Sequence, residues 1–562
     1  MRCIIAPYSI REGGNVLPFG GLRSVAGRRV TGEEGAVRER LASGMVSRLP
    51  VAIILVALAL RLAVLVAGLY PLESDEAIVG LMARHILAGE RPIFYYGQPY
   101  MGAVEAYLVA PVFWGLGSST LALRLAPLAL SLLFVCLTYL MGCRVYGPVV
   151  GTFAAAYVAV SPPFLTMWSL KARGGYIETL VLGEAILLLT IGIASSSQTS
   201  VGHWLALGFL TGLALWVNEL ILPYLVAALV TLFWGRRGLS LGRGGLIGLI
   251  GAALGGLPLW VYNWQHPLAT FMHLVESNAG AGMSLATVAH NLLDLFRYAV
   301  PVLMGALPST SCLECFHEQR IGAGTLYYLS LSMVAVLALA AVWGHCEPAG
   351  GQWRLCACLR REEVPLLVLL LTSPLLFITS QVGFLHYSEP RYLLPLYSTV
   401  PVFVAAVWRL LGERPRYLAA LLLAVLAFNL QANWTVDPAL AMPVIEGQRP
   451  APSNRELASF LEARGIRYVY TDYWIAYTLA FESDEKVIPS VVGPALTVGY
   501  NRYVPYAYSV SVAENPAYVF LAGSQSEAAF AAEMKAEGGS FQREVAGPYA
   551  VYWNLNPLRR PR

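Results

Sequence analysis

Charge is scarce in this sequence. Only 13% of its 562 residues are Asp, Glu, Lys or Arg, against 57% that are hydrophobic, where an ordinary soluble domain carries roughly 25% charged residues. That balance argues against a soluble globular enzyme. The formal net charge is only +4 and the basic residues fall in short clusters, which argues against nucleic acid as a partner. Lysine is nearly missing, with three among 38 basic residues; Lys486 and Lys535 lie in the tail, so Lys171 stands alone in the apolar region. The eight cysteines form no metal-finger pattern, and most sit singly in apolar surroundings, where a buried thiol behaves as a small hydrophobe. Cys312 and Cys315 are the exception. Their C-x-x-C spacing, followed by His317, reads as a short disulfide or half a metal site.

The charges that exist are unevenly spread, 12 in residues 1–49, 36 in 50–436 and 24 in 437–562. A membrane region thus lies between two polar ends. Residues 1–49 are Arg- and Gly-rich and read as a disordered cytoplasmic tail leading into an uncleaved first span, with Met45 an alternative start. Apolar runs of spanning length occur near 51–70, 119–142, 148–165, 176–196, 203–220, 221–235, 244–264, 323–344, 364–384, 391–411 and 416–433, which predicts about eleven helices. The N-terminal tail, Arg144, Arg236/Arg237/Arg243, Arg354/Arg360/Arg361 and Arg414/Arg416 fall on one side if these spans alternate, and the positive-inside rule makes that side the cytoplasm. Residues 71–118, 166–175, 265–322, 385–390 and the tail from 434 onward are then outside, in the oxidising compartment, where Cys312 and Cys315 favour a disulfide. The expectation is an integral protein of the cell (plasma) membrane, surrounded by lipid, with a cytoplasmic N-terminus.

The tail, 437–562, reads as a small extracytoplasmic α/β domain. Helical spacing in Leu457, Phe460 and Leu461 precedes the β-rich run Ile466 to Thr471, and a strand-like stretch Tyr518 to Leu521 precedes a helical pattern over Glu527 to Lys535. It carries no nucleophile motif or phosphate loop. Its tyrosines, Tyr473, Tyr477, Tyr503, Tyr506 and Tyr508, suit a sugar or peptide surface, with burial in the domain's own core the favoured reading.

The first outer loop carries the chemistry. Ser74 is placed to cap a helix whose apolar face uses Ile78, Leu81, Met82 and Ile86, too short to span and amphipathic enough to lie along the outer membrane surface. Asp75 and Glu76 in its first turn complement the helix dipole. Acids held directly above a transmembrane bundle are also placed to deprotonate an acceptor hydroxyl while a lipid-linked donor sits in the membrane. A turn with Gln98-Pro-Tyr100 follows, then a second membrane-hugging stretch with Glu105, then Ala122-Leu-Arg124 entering the next span.

This order, together with the later His386-Tyr-Ser-Glu-Pro-Arg-Tyr-Leu-Leu-Pro395, resembles the GT-C integral-membrane glycosyltransferases. The likeness is to the branch of protein O-mannosyltransferases and bacterial lipid A aminoarabinose transferases, glycosyltransferase family 39 in the broad sense. It implies an α-helical polytopic membrane protein of GT-C fold with amphipathic outer-loop helices, over 50–436, with the outer catalytic loop at 71–118. It also implies transfer of a monosaccharide from a polyprenyl or dolichyl phosphate to a protein, lipid or glycan hydroxyl outside the membrane. Asp75 would be the general base and Glu76 a supporting acceptor or acceptor-site residue, with Tyr100 and Gln98 at the acceptor site and Glu105 either a further candidate there or a helix-surface acid.

Transfer from a sugar phosphate calls for cations at the leaving phosphate. Lys171 and Arg173, two residues apart beside two glycines, are the better pair; Arg391 and Tyr392, with His386 and Glu389 upstream, match the family's late outer-loop motif and are expected on donor phosphate or sugar. The alternative for each cation is an interfacial anchor. Glu178, Glu184 and Glu219 read as intramembrane acids facing the bundle interior. No tight His or carboxylate cluster marks a metal site and GT-C enzymes differ in metal dependence, so no cofactor is assigned and a divalent metal stays open. The rival reading is a transporter or flippase of lipid-linked sugars. Against it, no inverted repeat of broken helices is visible and the polar residues concentrate outside the midplane.

Overall fold

The structure, a computed structural model, describes residues 32–196, 199–235, 242–272, 284–306, 360–379, 390–407, 415–438, 442–493 and 496–561, with the backbone alone over 32–48 and 415–419. Pro50–Arg562 forms one compact unit, mostly helical with a small sheet towards its C-terminus. Cys312, Cys315, His317 and the apolar run at 323–344 lie outside the described residues.

The helical part opens with α1 (Gly32–Val66), α2 (Ser74–Leu87), α3 (Val104–Leu116) and α4 (Thr120–Tyr146). Ser119 Oγ accepts the Ala122 N–H at 3.1 Å and so caps α4. Pro148 opens α5 (Pro148–Ala159), at a position where no N–H is needed. The last carbonyls of α5, those of Val158 and Ala159, accept from the buried Arg61 guanidinium at 3.1 and 3.0 Å, a cation on the negative end of a helix. Then come α6 (Pro163–Trp168), α7 (Tyr176–Ser195), α8 (Val201–Val217), α9 (Leu222–Gly235), α10 (Arg243–Gly255) and α11 (Leu257–Gln265).

Among the described residues, three helices are long and apolar enough to cross a membrane alone: Leu49–Val66, Thr120–Tyr146 and Tyr176–Ser195. The pair α10 and α11, bent by 71°, qualifies together, and several other apolar helices are shorter than 18 residues. The run at 391–411, expected as one span, is a 3-10 helix Pro390–Ser398 followed by the short helix Val400–Ala406. Pro395 and Pro401 each remove an N–H from an α-helical ladder, which breaks the run.

The C-terminal sheet has five strands, β1 (Tyr468–Thr471), β2 (Ile488–Val491), β3 (Ala517–Leu521), β4 (Ser540–Ala546) and β5 (Tyr549–Asn556), in the order β2-β1-β3-β5-β4. β1 runs parallel to β2 and β3, while β5 is antiparallel to β3 and β4. Leu457 and Leu461 of the helix Arg455–Ala463 pack with Val469, Val519 and Val551 of the sheet. This gives the domain a core of its own.

α2 does not lie exposed on the lipid surface. It packs between α3 and the C-terminal helix Tyr473–Glu482, so Ala77, Ile78, Val79, Leu81, Met82 and Ala83 are all buried. Gly80 makes this approach feasible, because a Cβ there would sit 2.4 Å from the Phe481 ring. Ser74 is not the cap: Glu73 takes that position with extended backbone, and Ser74 Oγ donates to the Tyr473 carbonyl at 2.6 Å. At the other end of α2, Arg84 donates to Phe481 O at 2.9 Å and to Asp484 at 2.7 Å, while His85 Nε2 meets Glu485 at 2.9 Å.

Candidate functional site

The start of α2, the segment between α2 and α3, α6 and the segment after it, the turn at Asn218-Glu219, the 3-10 helix at Arg391 and the C-terminal domain converge on a cavity of about 570 Å³. Three carboxyl groups, Glu73, Asp75 and Glu219, and three guanidinium groups, Arg173, Arg391 and Arg502, line it. Aromatic rings, among them Tyr95, Trp168, Tyr176, Tyr473 and Trp474, make up much of the remainder. Such a wall has flat apolar faces and polar edges, which suits a ligand with both kinds of surface.

Asp75 reaches this cavity with its side chain 27% exposed. Tyr473 Oη donates to Asp75 Oδ1 at 2.5 Å, and Arg502 Nη2 stands 3.7 Å from the same oxygen. Arg502 Nε in turn donates to Tyr473 Oη at 3.0 Å, and Tyr95 Oη donates to the Asp75 carbonyl at 2.7 Å. Burial and then the Asp75 charge hold the Tyr473 hydroxyl far above the usual phenol range, so it stays a proton donor. Gln98 and Tyr100 are in the cavity too. With its amide oxygen turned to Arg502, Gln98 accepts from Nη1 at 2.7 Å and Nη2 at 3.1 Å, and from Tyr100 Oη at 2.9 Å.

Glu76 does not share this position. It is fully buried, and its carboxylate forks onto Arg124, Nε to Oε1 at 2.6 Å and Nη2 to Oε2 at 2.7 Å. Neighbouring helical residues point about 100° apart, so only one of two adjacent acids faces the ligand space. The expectation of Glu76 at the reacting centre is corrected to an ion pair that ties α2 to α4. Glu105 does not line the cavity either; it is buried, with Oε2 accepting the Gly174 N–H at 2.5 Å. Its acceptor-site assignment gives way to support of the loop that carries Arg173. Gly174 and Gly175 both have positive φ, +85° and +93°, which allows that loop to turn back towards Glu105.

The two cations of that loop are brought together by Glu73, an acid that the sequence reading did not single out. Lys171 Nζ lies 3.5 Å from Glu73 Oε2, and Arg173 Nε pairs with Oε1. Burial pushes the Glu73 carboxyl up, but Arg173 and Lys171 outweigh it and hold it below the usual range. Lys171 is itself only 2% exposed and does not line the cavity; burial pushes its ammonium down to about 8, with Glu73 acting in the opposite direction. Arg173 does line it, over the Trp168 ring at 4.5 Å. Arg391 faces the same ring at 5.7 Å and Tyr392 at 5.2 Å. Two guanidinium groups therefore stand around one indole in the cavity wall. His386 and Glu389 lie outside the described residues.

Of the tail tyrosines, Tyr477 is core, with its hydroxyl accepting the Arg502 N–H at 2.5 Å. Tyr503 donates to Glu90 of the segment between α2 and α3 at 2.6 Å, buried Tyr506 donates to Glu485, and Tyr508 is exposed. Arg502, like Glu73, carries no signal in the sequence, while Tyr473, for which burial in the domain's own core is the favoured reading, turns to Asp75 instead. Among the described residues no three His, Cys, Asp or Glu side chains group as metal ligands, so no metal centre is assigned.

No protein-family model matches the chain, and no curated protein matches it in sequence. Solved structures do match its fold. ArnT from Cupriavidus metallidurans bound to undecaprenyl phosphate superposes with a TM-score of 0.58 at 14% identity, covering 91% of this chain and 99% of that one. Apo ArnT from the same organism gives 0.57 at 14% identity, covering 93% and 100%. The Archaeoglobus fulgidus oligosaccharyltransferase in complex with Zn and sulfate gives 0.51 at 13% identity, covering 92% and 75%. The chain therefore has the fold of the GT-C glycosyltransferases to which ArnT and this oligosaccharyltransferase belong.

Proposed function

We propose that this protein is an inverting membrane glycosyltransferase that moves a monosaccharide from a polyprenyl or dolichyl phosphate to a hydroxyl of a protein, lipid or glycan on the outer face of the cell membrane. The observation that carries this reading is the meeting of Asp75 with Arg173 and Arg391 in one cavity of a GT-C fold. ArnT binds undecaprenyl phosphate, a ligand whose phosphate suits the pair of guanidinium groups around Trp168.

In this mechanism the acceptor oxygen attacks the anomeric carbon and the bond from that carbon to the phosphate oxygen breaks. The acceptor proton passes to the Asp75 carboxylate, which Tyr473 and Arg502 orient. The phosphate leaves with the negative charge, held by Arg173 and Arg391, while Lys171 and Arg173 together offset Glu73. The layout proposed with it has a cytoplasmic tail at 1–49, about eleven spans over 50–436 and an outer domain at 437–562.

The test is to incorporate the protein into sealed vesicles with labelled undecaprenyl-phosphoryl sugars and candidate acceptors. Label should move to an acceptor as bare undecaprenyl phosphate accumulates. Labelled lipid that crosses the bilayer without being consumed would favour the transporter instead.

A further inference from the structure

The cavity holds one carboxyl group that this mechanism does not use. Glu219 stands on the tight turn Glu219–Ile221 between α8 and α9. The turn is fastened on several sides. Asn218 Oδ1 accepts the Leu220 N–H at 2.9 Å, and Asn218 Nδ2 donates to the Gly174 carbonyl at 3.4 Å. Beside it, the Gly102 N–H donates to Val217 O at 3.0 Å, and Met101 bridges to Asn218. Glu219 is thereby fixed relative to both the Arg173 loop and the Gln98-Tyr100 segment.

Its side chain lines the same cavity as Asp75, yet Oε2 is buried and takes no hydrogen bond from a described residue. Leaving a buried acceptor unsatisfied costs about 1–3 kcal/mol, so a fold that holds one rigidly in a ligand cavity calls for a ligand that satisfies it. The ligand group has to be a donor. A carboxyl oxygen repels phosphate and accepts readily from a hydroxyl. Tyr100, which lines the same cavity, offers a ring of the kind on which the C–H face of a sugar packs.

Resting on the glycosyl-transfer reading, we propose that Glu219 binds the monosaccharide of the donor, Oε2 accepting from a ring hydroxyl, and so selects which sugar is transferred. The division of labour follows charge: Arg173 and Arg391 take the phosphate, Asp75 the acceptor hydroxyl and Glu219 the sugar.

Binding tests this without turnover. Full-length protein in nanodiscs is titrated with bare undecaprenyl phosphate and with undecaprenyl-phosphoryl mannose, glucose, galactose and aminoarabinose. The wild type is expected to bind at least one glycosylated lipid more tightly than the bare lipid. Glu219→Ala should remove that preference, by about 10-fold, with affinity for the bare lipid essentially unchanged. Glu219→Asp, which withdraws the carboxyl by one methylene, should also lose it, whereas Glu219→Gln, which keeps an acceptor oxygen, should retain most of it; either covers a failure of the alanine variant to fold. Equal weakening of both lipid classes, or no change in either, would overturn the proposal, as would a wild type that prefers no glycosylated lipid over the bare one. A wild type that binds no undecaprenyl phosphate at all would remove the glycosyl-transfer reading itself.

Discussion

Tyr473 of the C-terminal domain donates a 2.5 Å hydrogen bond to Asp75 Oδ1 at the start of α2, across 398 positions of sequence. The C-terminal domain therefore contributes to the wall of the cavity and to the orientation of its central acid. Tyr473→Phe should lower kcat about 10-fold, the scale of a hydrogen bond to a charged group, with donor affinity little changed. Equal kcat in the two proteins would show that the contact does not serve the reaction.

Glu76 and Asp75 are adjacent and should behave oppositely. Glu76→Ala leaves the buried Arg124 guanidinium without its carboxylate and should cost about 3–5 kcal/mol of stability, read as a fall in melting temperature. The double variant Glu76→Ala/Arg124→Leu should regain part of the loss. Asp75→Asn, at a partly exposed cavity wall, should melt close to the wild type.

Much of this architecture is legible in the sequence, and the limits have physical causes. The β-rich run at 466–471 contains β1, and the helical pattern at 527–535 falls within the helix Gln525–Ala536, because periodicity reports a local pattern. Asp75 is visible as an acid opening a helix just after the first span. Glu73, two residues earlier, is not, because its role depends on Lys171 and Arg173 far along the chain. Arg502 is hidden and Tyr473 reads as core for a related reason: a tyrosine that faces its own sheet and one that faces another part of the chain look alike in sequence.

Lys171 sets a pH dependence. Its ammonium is pushed down to about 8 by burial against the opposing pull of Glu73. An unfolded lysine titrates near ~10.4, so between about 8 and ~10.4 the unfolded chain holds a proton that the folded protein has released, and this group adds stability as pH rises. Donor affinity should move the other way, because above about pH 8 Glu73 is left to draw on Arg173 alone. Lys171→Arg should abolish that alkaline decline in undecaprenyl phosphate binding. A wild-type affinity that stays flat across this range, while melting temperature is recorded in parallel, would reject the link.

Gly80 governs the seat of the C-terminal domain. Gly80→Leu drives a side chain into the Phe481 ring and should cost about 1–3 kcal/mol. The variant should show faster proteolysis between the membrane part and residues 437–562. Unchanged proteolysis and melting would mean that the contact between α2 and the helix Tyr473–Glu482 is not what holds the domain.

The most direct test of the account is single-turnover transfer from a labelled undecaprenyl-phosphoryl sugar by Asp75→Asn beside the wild type. A properly folded variant that binds undecaprenyl phosphate normally but transfers about 100-fold or more slowly would bear out Asp75 as the base. Transfer at the wild-type rate by that same folded variant would contradict it.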